Sequence, residues 1–354
     1  MQKAQRQTNF ELLRLVSMFL IVMGHSIMHG LRNITSTTIP DIGISPTCAV
    51  DMLNFSASQL LGYMSNVGVN LFILITGYFI TKPKNFRSVA GKAFRLWRTM
   101  VFYCIIILII DSLVAEQMPS LNDILVSVTP IYHNTYWFVT QYVALFLLSP
   151  FLARLLSVLD KREFNILLLV MFLLNFQQES LGYGGLYSGG MTLMFFIFLF
   201  CIGSYIHRFN PIEKVQSYGW LLYLCICIGM TLLGVFLQFR HLGIVGHEYL
   251  YVKGLANNSL PLFSSVALFL WFKTIYIGSQ RLCRIILRFS PCVFGVYLIH
   301  DNSMVRNLLW SHVKDYIHDP WFIAGLIAYV IVVFVVCLLI DILREFFVGL
   351  VHKR

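Results

Sequence analysis

Charge is what this sequence has least of. Only 12% of its 354 residues are Asp, Glu, Lys or Arg, while 58% are hydrophobic and 15% aromatic; an ordinary soluble domain carries roughly 25% charged residues. That balance excludes a water-soluble globule and makes the bilayer the solvent. Low-complexity linkers, internal repeats and a soluble appendage are missing as well. The expectation is one membrane-embedded domain over 1–354, with no soluble extracytoplasmic domain. Cysteine supplies no framework either. Of the eight, all but Cys48 fall within or beside apolar stretches, and Cys225 and Cys227, two apart, would point about 200° apart on a helix. Packing is the better reading than a disulfide or zinc site. The formal net charge is +10, yet the cations sit in short clusters between apolar segments. No basic domain exists to bind nucleic acid, and the clusters read as topology signals.

Ten segments meet the requirement of about 20 residues for crossing a hydrocarbon core, some only with their flanks: 9–30, 57–80, 94–115, 136–156, 163–178, 189–206, 216–239, 257–277, 289–310 and 321–343. The fifth is the weakest, with few apolar residues before a Gly- and Tyr-rich stretch. Counted around alternate segment ends, 21 of the 26 Lys and Arg lie on one side; Arg32, Arg240, Lys253, Arg306 and Lys314 make up the other. The positive-inside rule then places both termini in the cytoplasm. The basic start before the first apolar run resembles a signal peptide, but it lacks a convincing cleavage site and is read as retained. The fold class expected is all-α, a bundle of about ten transmembrane helices in the lipid bilayer. Sequon-like triplets begin at Asn33, Asn54 and Asn257 on the outer side.

Ionisable residues at membrane depth are expensive and default to functional candidates. The first span holds Glu11, Arg14 and His25. Arg14 and His25 differ by ~20° around the helix and ~16 Å along it, so one face joins the cytoplasmic edge to the membrane interior. Glu11 is three residues before Arg14 and can pair with it across one turn. The third span opens KAFRLWR, with Lys92, Arg95 and Arg98 at helical spacings. Anchoring accounts for such residues, but Arg is also the side chain suited to bidentate phosphate contacts. Arg14 and the Arg95–Arg98 pair would lie at one depth and form an inner-face pocket for a polyanion.

These residues resemble the signatures of acyltransferase family 3, the integral-membrane acyl transferases that O-acylate bacterial surface carbohydrates. The family's arginine, ten residues, histidine signature matches Arg14 to His25, its arginine, two residues, arginine motif matches Arg95 and Arg98, and its acidic residue before the signature matches Glu11. GVNLFILITGYF (68–79), YWFVTQYVALFLLSP (136–150) and FGVYLIH (294–300) resemble further family segments. The resemblance implies an acyl-CoA donor bound from the cytoplasm, with Arg14, Arg95 and Arg98 near its phosphates, and His25 assisted by Glu11 doing the chemistry. His25 would be a general base on an acceptor hydroxyl or would carry the acyl group itself. It implies acetyl-CoA as co-substrate, with succinyl as second choice, no permanently bound cofactor, and a carbohydrate acceptor. The bacterial cytoplasmic membrane is the expected location, and glycan-assembly proteins or a second copy of the chain are the expected protein partners.

Five further residues are candidates for an acceptor pocket: Asp111 near the outer end of the third span, Trp137 and Gln141 on one face of the fourth, and His300 with Asp301 in the ninth. Aromatic faces and amides suit sugar rings, although interfacial Trp is common as an anchor. His29 is one turn from His25, the spacing of a metal pair, but no third ligand follows at fitting spacing and no metal is expected. A rival reading is a multi-span transporter exporting a glycan or glycolipid, which would show related halves. None are visible.

Overall fold

A computed structural model describes residues 7–31, 47–82, 85–180, 190–240 and 259–351. It is an all-helical membrane bundle. Lipid offers a backbone no hydrogen bonds, so long apolar runs must satisfy their own amides as helices. The described helices are α1 (Thr8–Gly30), α2 (Ala49–Ser65), α3 (Gly68–Phe79), α4 (Phe86–Val114), α5 (Leu121–Val128), α6 (Trp137–Val158), α7 (Lys161–Ser180), α8 (Leu193–Phe209), α9 (Gly219–Arg240), α10 (Ser259–Thr274), α11 (Gln280–Phe289), α12 (Val293–His300), α13 (Ser303–Trp310) and α14 (Phe322–Val351).

Seven helical stretches among the described residues are long and apolar enough to cross a membrane, against ten expected; α2 with α3, and α11 with α12, each count as one. Two shorter apolar helices, α8 and the α10 segment, occupy the places of two more. The fifth expected span falls on α7, a 20-residue helix that opens with Lys161, Arg162 and Glu163. Of the sequon-like sites, Asn33 and Asn257 lie outside the described residues. Asn54 is buried on α2 and its Nδ2 donates to the carbonyls of Ile317 (2.7 Å) and Asp319 (2.8 Å). It is a strut between α2 and the approach to α14, not an open acceptor for a glycan.

The bundle centre is set by α1, α3 and α8. Leu71, Ile73, Leu74 and Ile75 of α3 and Phe195, Phe196, Leu199 and Phe200 of α8 are all but completely buried. A helix apolar all round belongs in a core, and here the two backbones touch. A Cβ added at Gly77 would overlap the Phe200 carbonyl, and one at Gly203 the Leu74 carbonyl. Small residues at such crossings give membrane helices the close packing that hydrophobicity cannot supply in lipid. Around this centre α1 packs on α2, α3, α11, α12 and α14. At Gly295, five residues before the end of α12, an added Cβ would strike the Asp341 carboxylate of α14.

Several cations counted as topology signals hold structure as well. Arg208, in the last turn of α8, donates from Nη1 to the carbonyls of Leu156 (2.9 Å) and Leu159 (2.7 Å) at the end of α6. The close α3–α8 approach gives a direct expectation. Gly77→Leu and Gly203→Leu should each abolish the monodisperse peak of detergent-solubilised protein in size-exclusion chromatography. Gly229→Leu, where a Cβ meets nothing within 4 Å, should leave it intact.

Candidate active site

Two polar clusters stand at different depths of the bundle. His25 anchors the first. The α12 helix ends at His300, and the chain turns through Asp301 and Asn302 into α13. This turn lies against α1, so that His25 Nδ1 is 3.0 Å from His300 Nε2 and 3.4 Å from Asp301 Oδ1. His300 Nδ1 in turn lies 2.6 Å from the Val296 carbonyl, one turn back along α12. His300 is completely buried and the His25 side chain is 12% exposed.

These distances fix the hydrogens. A carbonyl only accepts, so Nδ1 of His300 carries the hydrogen given to Val296. In the neutral ring Nε2 of His300 is then an acceptor, and the hydrogen between the two rings belongs to His25 Nδ1. That leaves Nε2 of His25 with its lone pair facing away from the pair. A base whose tautomer is fixed by a partner on its other nitrogen is the arrangement used for proton abstraction and nucleophilic attack alike. Asp301, beside the same Nδ1, is placed to stabilise an imidazolium when one forms.

The turn is itself braced by a residue absent from the sequence-based candidates. The buried Tyr136 hydroxyl, at the start of α6, donates to the Leu298 carbonyl (2.8 Å) and accepts from Asn302 Nδ2 (2.9 Å). Tyr297 is buried beside it, with its ring 6.3 Å from His25, 6.0 Å from His300 and 5.4 Å from Phe138. Neither tyrosine was distinguishable by sequence from the many aromatic residues of the spans.

The second cluster lies at the end of the bundle assigned to the inner face. Arg95 and Arg98 of α4 line a cavity of about 520 Å³ with Gly91, Thr99, Arg344 and Glu345. Arg344 of α14 is the guanidinium that the spacing arguments missed. Its Nε donates to Asp341 Oδ1 (2.7 Å) and Nη2 to Glu345 Oε1 (2.7 Å), and Asp341 also accepts from the Tyr103 hydroxyl (2.6 Å). Asp341 is fully buried and the Arg344 side chain 13% exposed. The pair holds a cation rigidly at the rim of a cavity whose other two guanidiniums are exposed.

Arg14 is not among the residues lining that cavity. It pairs instead with Glu11, Nη1 lying 3.0 and 3.2 Å from the two carboxylate oxygens, as the three-residue spacing implied. Glu11 is therefore a holder of Arg14. Fourteen residues separate it from His25, ~21 Å along α1, which keeps the carboxylate out of reach of the imidazole. His300 and Asp301, expected in an acceptor pocket, stand behind His25 on its Nδ1 side. Trp137 is half-buried and packs its ring against Phe138 and Phe196 (6.2 Å each), with Gln141 one turn along α6. Asp111 is exposed on α4 among exposed Ile109, Ile110, Leu113 and Val114, apart from the buried polar groups.

The fold supplies the third candidate ligand that spacing within α1 did not. One ring nitrogen each of His25 and His29 and a carboxylate oxygen of Asp301 all lie within 4.8 Å of one another. Arg306 Nη1, 3.6 Å from Asp301 Oδ1, puts a fixed positive charge at the same carboxylate, which opposes a cation there.

The family model described as an acyltransferase domain matches residues 7–342. The chain belongs to acyltransferase family 3. No curated protein and no solved structure matches it. The family span takes in the whole His25 cluster together with Arg95, Arg98 and Asp341, and ends just before Arg344 and Glu345; the chain is thus an integral membrane acyltransferase. His300→Phe, which fills the space but cannot accept the Nδ1 hydrogen, should lower acyl-transfer turnover about a hundredfold, the low end of a general base's contribution. KM for both substrates should stay within about threefold. Initial rates over a grid of substrate concentrations check this.

Proposed function

We propose that this enzyme moves an acetyl group from cytoplasmic acetyl-CoA to a hydroxyl of a cell-surface polysaccharide or its lipid-linked precursor, in the cytoplasmic membrane of a bacterium. The observation that carries the reading is the His25–His300 contact, which leaves one imidazole nitrogen reactive inside a membrane acyltransferase. The cavity of Arg95, Arg98 and Arg344 supports a donor with several phosphates, because guanidinium forks match phosphate oxygens. The acyl arm would run from there along the bundle, past the level of Arg14, towards His25.

In the favoured route the acceptor hydroxyl gives its proton to His25 Nε2 as its oxygen attacks the thioester carbonyl. The new O–C bond forms, the C–S bond breaks as the tetrahedral intermediate collapses, and the departing thiolate takes the proton back from the imidazolium. Asp301 at 3.4 Å faces the charge that His25 carries between these two events. The same Nε2 lone pair suits an acyl-imidazole route, so the base role and the carrier role share their machinery. Succinyl is the alternative acyl group. Nothing in the route calls for a resident cofactor or metal, and the glycan-assembly proteins that would deliver the acceptor remain expected partners.

The test is transfer of label from acetyl-CoA to extracted surface glycans by membranes holding wild-type or variant chain. His25→Ala should abolish transfer with insertion intact; retained turnover removes His25 from the mechanism. Arg95→Ala with Arg98→Ala should raise KM for acetyl-CoA at least tenfold without changing thermal stability in detergent. Unchanged affinity would make these two arginines anchors only.

A further inference from the structure

Arg306 is the charged group closest to the catalytic turn that the mechanism above leaves unused. It projects from the first turns of α13, with 34% of its side chain exposed and Nη1 3.6 Å from Asp301 Oδ1. That is an ion-pair contact too long to be a hydrogen bond, and its guanidinium makes no hydrogen bond to another described residue. An arginine fork carries five N–H donors, and here they are open. The position is also unusual for a cation. Arg306 is one of only five basic residues assigned to the outer face, out of 26 in the chain, so inner-face anchoring does not account for it.

His29 is the second unused group. It lies one turn beyond His25 on α1, towards the end assigned to the outside, with the two ring centroids 5.4 Å apart. Its Nε2 is buried and has no hydrogen-bond partner among the described residues. A buried polar atom left that way carries a desolvation cost that a bound group would remove. His25, His29 and Asp301 approach within 4.8 Å, and Arg306 is in contact with Asp301. Unused donors and an unpaired imidazole nitrogen therefore border the base on the side from which an extracytoplasmic acceptor arrives.

We propose that Arg306 and His29 anchor an anionic acceptor, a hydroxyl compound bearing a carboxylate or phosphate close to the hydroxyl that is acylated. The guanidinium takes the anionic group and His29 takes a neighbouring hydroxyl, which leaves the target hydroxyl at His25. The charges balance during turnover. When His25 becomes an imidazolium, Asp301 faces it at 3.4 Å, and the positive charge of Arg306 is matched by the acceptor's own anion. Arg306 and His29 are specificity residues on this account. The inference rests on the acyltransferase reading above and adds the class of acceptor to it.

The experiment uses the full chain in nanodiscs and three probes: a uronate-containing oligosaccharide, the same oligosaccharide with its carboxyls methyl-esterified, and a neutral sugar linked through diphosphate to a polyisoprenol. Binding is read by ligand-dependent thermal stabilisation, and turnover with acetyl-CoA is read separately. The wild type should prefer one of the two anionic probes over the esterified one at least tenfold, and which probe wins distinguishes a sugar carboxylate from a lipid-linked phosphate. Arg306→Gln should erase that preference while leaving acetyl-CoA affinity unchanged, and Arg306→Lys should restore part of it. His29→Gln should weaken all accepted probes by a similar factor. Loss of kcat with an unchanged preference for anions would overturn the inference, since that is the result of Arg306 merely bracing Asp301. Equal binding of all probes by the wild type would overturn it too, as would activity abolished by chelation and restored by a divalent metal. Because binding is measured without turnover, an acyltransferase reading that failed would show as tight anionic binding without transfer, and the two failures stay separable.

Discussion

An apolar medium gives a polar side chain no water to fall back on, and the polar pairs of this bundle follow from that constraint. His300 gives one nitrogen to a carbonyl of its own helix and the other to His25. Asp341, with no exposure, holds Arg344 and receives the Tyr103 hydroxyl. Tyr136 closes the turn between α12 and α13 from both sides. Each contact satisfies a buried group, and each also orients a residue that chemistry or binding would use. Stability and preorganisation have one origin here, which is why the reactive imidazole needs no further device to choose its tautomer.

The helices allow this only because some of them come unusually close. Gly77 and Gly203 let α3 and α8 touch through their backbones, and Gly295 lets α12 lie directly on the Asp341 carboxylate. With little hydrophobic drive between helices in lipid, packing of this kind fixes positions that a soluble protein would fix by burying apolar area. The outer surfaces of α4, α9 and α14 stay apolar and exposed, as the lipid-facing wall of a bundle should.

The membrane fold was legible in the sequence because spans are long and their requirement is simple. At α7, α8 and α10, where length and composition are intermediate, the expected segments are helices but do not count as full spans by length and composition. The Glu11–Arg14 pair was legible because both residues share one helix and three residues of spacing set their contact. Arg344 was not: 246 positions beyond Arg98, it joins the same cavity only through the packing of α14 on the bundle. For the same reason His300 and Asp301 were visible as buried ionisable residues but not as partners of His25, because their roles depend on which way the turn after α12 faces. The third member of the His25–His29 group was missed likewise, since Asp301 arrives from a distant helix and not from a spacing within α1.

Gly295 and His300 stand on one short helix, ~7.5 Å apart along its axis. The carboxylate that leans on the first also grips the arginine at the far cavity, while the second grips the base. On the proposed reading, α12 and α14 together act as a gauge: the distance from phosphate anchor to reactive nitrogen is set by two rigid helices that no loop motion can lengthen. A donor is then measured by its fixed arm, its carbonyl meeting His25 at one depth whatever lies beyond it, and any acyl tail longer than two carbons must find its room on the outer side of that point, in space the acceptor also needs.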